Sequence, residues 1–148
     1  QPLRGDWTVQ LNEAVLAAPA PVVLVAHSLG CILTAWWARH APPAVVGKVQ
    51  AALLVAPGDV EQADLRQHLP GWAPIARQRL PFAAVVVGSQ NDPYCRLARA
   101  QQLAADWGAQ WVDAGAAGHI NSASQLGDWP QGHALLQDLV KDSVHGKR

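Results

Sequence analysis

The sequence contains no methionine, two cysteines, one tyrosine and one phenylalanine, and its 11 Lys plus Arg are matched by 11 Asp plus Glu over 148 residues. Each shortage excludes something. Cys31 and Cys95 are too few for a disulfide framework and are not spaced as a metal knuckle, so two reduced thiols and a cytoplasmic location are expected. Balanced charge leaves no electrostatic footprint for a nucleic-acid backbone or an anionic membrane, and neither partner is expected. The longest apolar stretches, 21–26 and 51–57, fall far short of the roughly 18 to 20 residues that cross a bilayer. No charged segment followed by an apolar one stands at Gln1, so a retained signal peptide is not expected; the missing initiator points instead to an upstream piece.

What is present is enough for one globular domain: 50% of the residues are apolar. A chain of this size buries roughly 68 to 70% of the surface its unfolded form exposes, so its core needs no metal or disulfide. Asp6 is expected to cap a helix whose apolar positions Trp7, Leu11, Ala14, Val15 and Ala18 recur until Pro19 and Pro21. The unbroken apolar run 22–26 reads as a strand covered on both faces, as does 49–56. Between the helices expected at 31–41 and 94–107 lie a long proline-punctuated connection, 57–81, and a strand at 82–88. Trp72, with Leu69 and His68, is placed where that connection could form a modest lid. A short strand at 110–113, a loop carrying Gly115, Gly118, Gly127 and Pro130, and a last helix from about 132 to 144 complete the chain. Strands alternating with helices predict an α/β fold with a mainly parallel central sheet between helical layers.

In such a sheet, chemistry collects just beyond the carboxyl ends of the strands. The turn Ala26-His27-Ser28-Leu29-Gly30 between a buried strand and a helix fits a strained elbow that exposes a serine hydroxyl, with Ala where a first glycine usually stands. Downstream, Asp92 and then His119 follow later strands, giving the order Ser, Asp, His. A serine hydroxyl needs an imidazole to take its proton, so Ser28 is the expected nucleophile, His119 the base and Asp92 the residue that orients the ring. The backbone N–H of Leu29 is the expected oxyanion donor. Asp59 is the reserve acid and His133 the reserve base. His27 is expected to pack or hydrogen-bond; His40, His68 and His145 are expected on the surface, and Trp36 and Trp37 in the core. Trp129 is expected either to support the histidine loop or, like Trp72, to line the acyl site. Cys95 has no neighbour in sequence that would activate it. With no HExxH, CxxC, phosphate-loop or dinucleotide fingerprint, no cofactor or metal is expected.

The segments 22–37, 85–94 and 118–132 resemble the small serine hydrolases related to retinoblastoma-binding protein nine, an α/β-hydrolase family. The matching motifs are the elbow at 26–30, Ser89 with Asn91-Asp92-Pro93-Tyr94, and Gly118-His119-Ile120-Asn121 with Gly127-Asp128-Trp129-Pro130. The resemblance implies a cofactor-free serine esterase with Ser28, Asp92 and His119 as its triad, acting on a small-molecule acyl substrate: a carboxylic ester, thioester or activated amide. It also implies an amino-terminal strand and oxyanion loop, whose counterpart is expected upstream of residue 1. Leu29-Gly30-Cys31-Ile32-Leu33 has Leu in place of the Glu of a pocket-protein signature, so that partner is not carried over. The alternatives are a non-catalytic interaction module that keeps the hydrolase fold, and an acyl transferase.

Overall fold

The computed structural model describes residues 2–19, 21–121 and 129–145. Four strands, β1 (Val22–His27), β2 (Val49–Val55), β3 (Ala83–Gly88) and β4 (Gln110–Asp113), form one sheet in the order β1-β2-β3-β4. All three pairings are parallel. Six helices accompany them: α1 (Arg4–Ala17), α2 (Leu29–His40), α3 (Pro43–Val46), α4 (Ala63–His68), α5 (Leu97–Trp107) and α6 (Pro130–His145).

Successive strand residues face opposite sides of the sheet, and β2 and β3 bury both sets. Ala52, Leu54, Ala84 and Val86 meet Val15 of α1, Trp37 of α2, and Leu103 and Trp107 of α5. Ala51, Leu53, Val55, Val85 and Val87 meet Leu139 of α6. The result is the expected three-layer arrangement, in which β2 and β3 are apolar without alternation because helices cover both faces; β1, expected to be covered likewise, is not, since none of its residues is fully buried and Val25 is 61% exposed. Each fully buried aliphatic side chain contributes roughly 1.5 to 3 kcal/mol, so these two clusters supply most of the driving force.

Three local expectations are corrected. Asp6 does not cap α1: the helix starts earlier, with Leu3 at the N-cap, and Asp6 sits in its first turn, where the helix dipole favours a carboxylate. The connection 57–81 is not a lid, since Val60, Trp72, Ile75, Ala76 and Leu80 are all buried in the larger core. Trp72 is fully buried, edge-on to Trp7 at 5.5 Å, with its indole N–H donated to the Pro2 carbonyl at 3.1 Å. An indole held on all sides by core contacts is unavailable as a wall of an acyl site.

Candidate active site

Only one residue separates β1 from α2, and that residue is Ser28, at φ 57° and ψ −115°. A non-glycine residue there carries about 1 to 3 kcal/mol of strain, so its surroundings must hold it. Its N–H donates to the Val55 carbonyl at 3.0 Å, continuing the β1–β2 ladder past the end of the strand. Its carbonyl accepts from Cys31 N–H at 3.1 Å and Gly58 N–H at 3.4 Å. The turn also needs small neighbours: a Cβ on Gly30 would lie 3.3 Å from that of Ala26, and a Cβ on Gly58 would lie 3.3 Å from Ser28 Oγ. Leu29 is the first residue of α2, so its N–H has no acceptor within the helix and lies at the positive end of the dipole.

Asp92 follows β3 in a turn where its Oδ1 accepts the Tyr94 N–H at 2.9 Å. Its side chain is only 2% exposed. His119 follows β4, and its ring spans the two other residues. Nδ1 lies 2.9 Å from Asp92 Oδ2 and 3.0 Å from Oδ1, and Nε2 lies 2.8 Å from Ser28 Oγ. A carboxylate only accepts, so Nδ1 carries the proton, Nε2 the lone pair, and the serine hydroxyl donates to it. Three side chains from positions 28, 92 and 119 therefore form one hydrogen-bonded line across the ends of β1, β3 and β4.

His27, Tyr94 and Gly58 join the site without having been assigned to it from sequence. The His27 ring lies 4.7 Å from that of His119 and its Nε2–H donates to the His119 carbonyl at 2.8 Å, which realises the hydrogen-bonding role expected of it. Tyr94 meets the other side of the imidazole edge-on at 4.7 Å. Beside them opens a cavity of about 450 Å³ lined by Asn91, Pro93, Tyr94, Gly118, His119 and Asn121. Spacing alone could not reveal Tyr94 as a neighbour of His119, although Asn-Asp-Pro-Tyr marks the turn that puts it there.

The reserve candidates lie elsewhere. Asp59 caps Glu61 N–H at 3.1 Å and faces Arg99 Nε at 3.4 Å. His133 is exposed on α6. The exposed rings of His40 and His68 pair with the carbonyls of Trp36 and Asp64, and Trp37 is fully buried. Trp129 is half-buried against the cluster of Ile120 and Leu139, and a Cβ on Gly132 would collide with its ring. Its carbonyl accepts the N–H groups of Gly132 and His133, so it shapes the start of α6. Gly127, Asp128 and the side chain of His145 lie outside the described residues. Burial, reinforced by the charges of Asp59 and Asp92, pushes the Cys95 thiol up to about 12, and burial raises Cys31 as well, so neither is a nucleophile at neutral pH. Among the described residues no group of three or more His, Cys, Asp or Glu could hold a metal ion, and no helix is long and apolar enough to cross a membrane.

A parallel sheet between helical layers, with a strained serine at the first strand end, defines an α/β-hydrolase fold. The chain belongs to the serine hydrolase family, which it matches over residues 1–138. It is therefore a serine hydrolase. A YdeN-like hydrolase from Pectobacterium atrosepticum superposes with a TM-score of 0.81 at 24% identity, covering 97% of this chain and 72% of that one. The ydeN gene product of B. subtilis superposes at 0.76 with 18% identity, covering 95% and 77%. The type II thioesterase BorB of the borrelidin biosynthetic cluster superposes at 0.61 with 18% identity, covering 93% and 70%. At these identities the likeness speaks for the fold. No curated protein matches the sequence.

Proposed function

We propose that the chain cleaves a carboxylic ester, thioester or activated amide of a small-molecule acyl substrate through an acyl-Ser28 intermediate. One observation carries the reading: a single imidazole, His119, bonds Ser28 Oγ at 2.8 Å through one nitrogen and Asp92 at 2.9 Å through the other. Ser28 Oγ attacks the carbonyl carbon while His119 Nε2 takes the hydroxyl proton. The carbonyl oxygen becomes an oxyanion that accepts the Leu29 N–H, a donor worth about 3 kcal/mol of barrier. Collapse expels the alcohol, thiol or amine, which receives the proton back from Nε2. Water then attacks the acyl-serine with His119 again as base, and the carboxylic acid leaves. Asp92 stays ionised throughout, holding the tautomer and stabilising the imidazolium. A reducing compartment such as the cytoplasm fits two buried, unpaired thiols, Cys31 and Cys95.

A fluorophosphonate probe tests the assignment directly. Wild-type protein should be labelled on Ser28, located by peptide mass, and Ser28→Ala should abolish the label. Labelling that survives the substitution moves the nucleophile elsewhere; a silent wild type favours the interaction module.

A further inference from the structure

We infer that Asn91 is the positioning residue that sets His119 between Asp92 and Ser28; the inference rests on the triad reading above. His119 is flanked by two residues in the left-handed region, Gly118 at φ 62° and Ile120 at φ 51°. For a β-branched residue such as Ile120 that conformation is unfavourable, so the loop needs external ties. At its start these ties are backbone bonds, from Ala114 N–H to the Gly88 carbonyl and from Gln90 N–H to the Gly115 carbonyl, each 2.8 Å. Approaching His119, side chains of the acid turn take over. Ala117 N–H donates to Ser89 Oγ at 3.0 Å, and Gly118 N–H donates to Asn91 Oδ1 at 2.7 Å. The Ser89 hydroxyl itself donates to the same Asn91 oxygen at 3.0 Å. Asn91 Oδ1 is thus the shared acceptor of the clamp, and Ser89, 2% exposed, has its hydroxyl orientation set by it.

One turn therefore holds the histidine loop twice, the residue before His119 through Asn91 and the His119 ring through Asp92. Asn91 lies outside the Ser28 to Asp92 line of bonds; it lines the cavity beside the ring, but its bonds to Ser89 and Gly118 are what place His119. Without its oxygen, Gly118 N–H and Ser89 O–H both lose their acceptor, and the loop is held against its strained backbone by fewer bonds, among them those from Ala117 N–H to Ser89 and from His27 to the His119 carbonyl. Misplacement of a reacting group by about 1 Å lowers rate on the order of 100-fold.

The test is steady-state hydrolysis of a p-nitrophenyl ester, together with the rate of fluorophosphonate labelling, for wild type, Asn91→Ala, Asn91→Asp and Ser89→Ala. Asn91→Ala should lower kcat about 10- to 100-fold with KM within about threefold, and labelling should slow in parallel. Asn91→Asp keeps an acceptor oxygen at that place and should recover most of kcat on the alkaline plateau. Its added carboxylate favours the imidazolium, so the acidic limb of its pH profile should move to higher pH. Ser89→Ala removes one bond of the clamp and should give a smaller loss of kcat, which keeps the question answerable if Asn91→Ala does not fold. The inference is overturned if folded Asn91→Ala keeps kcat within twofold, if KM rather than kcat changes, or if Asp does not rescue. Failure of the triad reading looks different: the wild type itself would then carry no label on Ser28.

Discussion

Two clusters of polar side chains differ in what they are built from. In the first, Ser28, His119 and Asp92 form a line with the imidazole in the middle. In the second, Glu61 pairs with Arg77 at 2.7 Å and with Arg99, Arg77 pairs with Asp106 at 3.0 Å, and Arg99 faces Asp59 at 3.4 Å. Glu61 also accepts the Ile75 N–H at 2.8 Å, which ties the 57–81 connection down. Burial alone would raise the Glu61 carboxyl, but the Ile75 bond and the two guanidiniums outweigh it and hold the group below the usual carboxylate range. The second cluster fastens chain to chain, its guanidiniums donating to carboxylates, whereas the imidazole of the first stands between a carboxylate and an alcohol.

The sharpest break in the comparison should come from His119→Ala, which removes the proton carrier. It should lower kcat by on the order of 10⁴ to 10⁶ while leaving thermal stability nearly unchanged. Trp72→Ala, in the larger core, should do the reverse: a loss of about 3 to 5 kcal/mol in denaturant unfolding with KM preserved in protein that remains folded. An increase in KM alone would restore Trp72 to the acyl site. Glu61→Gln should destabilise by roughly 1 to 2 kcal/mol and leave kcat within a few-fold. Because the folded-state carboxyl is depressed, its stabilisation is present above the ordinary value of 4.5 and disappears as pH falls through the depressed one. The Gln variant should therefore lose less melting temperature than wild type on acidification below about pH 4.5. The smallest effect is expected at Cys95: iodoacetamide at pH 8 should leave the native thiol and the activity untouched, and should alkylate it only after unfolding.

β2 and β3 were legible because parallel strands covered on both faces leave an uninterrupted apolar signature; β1 shows the same run of residues although Val25 is exposed, and the expected 110–113 coincides with β4. The serine turn was legible for a related reason, since Ala26 and Gly30 are the small residues that a tight strand-to-helix turn demands. Helix starts were less so: α1 begins without any side-chain cap, so Asp6 offered a false signal. The 57–81 segment misled because its prolines and charges hide apolar anchors, Val60, Trp72, Ile75 and Leu80, whose burial depends on α1 and α5 folding over them. Within the site, Ser28, Asp92 and His119 stood out by chain order. Gly58 and Tyr94 did not, because their importance lies in what they approach in space, and no periodicity encodes that.

Gly58 leaves one more mark on the chemistry. A methyl on its α-carbon would crowd the alcohol of Ser28 at 3.3 Å, so polypeptide lies close on one flank of the oxygen while the imidazole occupies another. If Ser28 is acylated as proposed, the carbonyl has to approach from the sides left open, and the mirror-image forms of an ester branched beside its carbonyl should be consumed at unequal speeds.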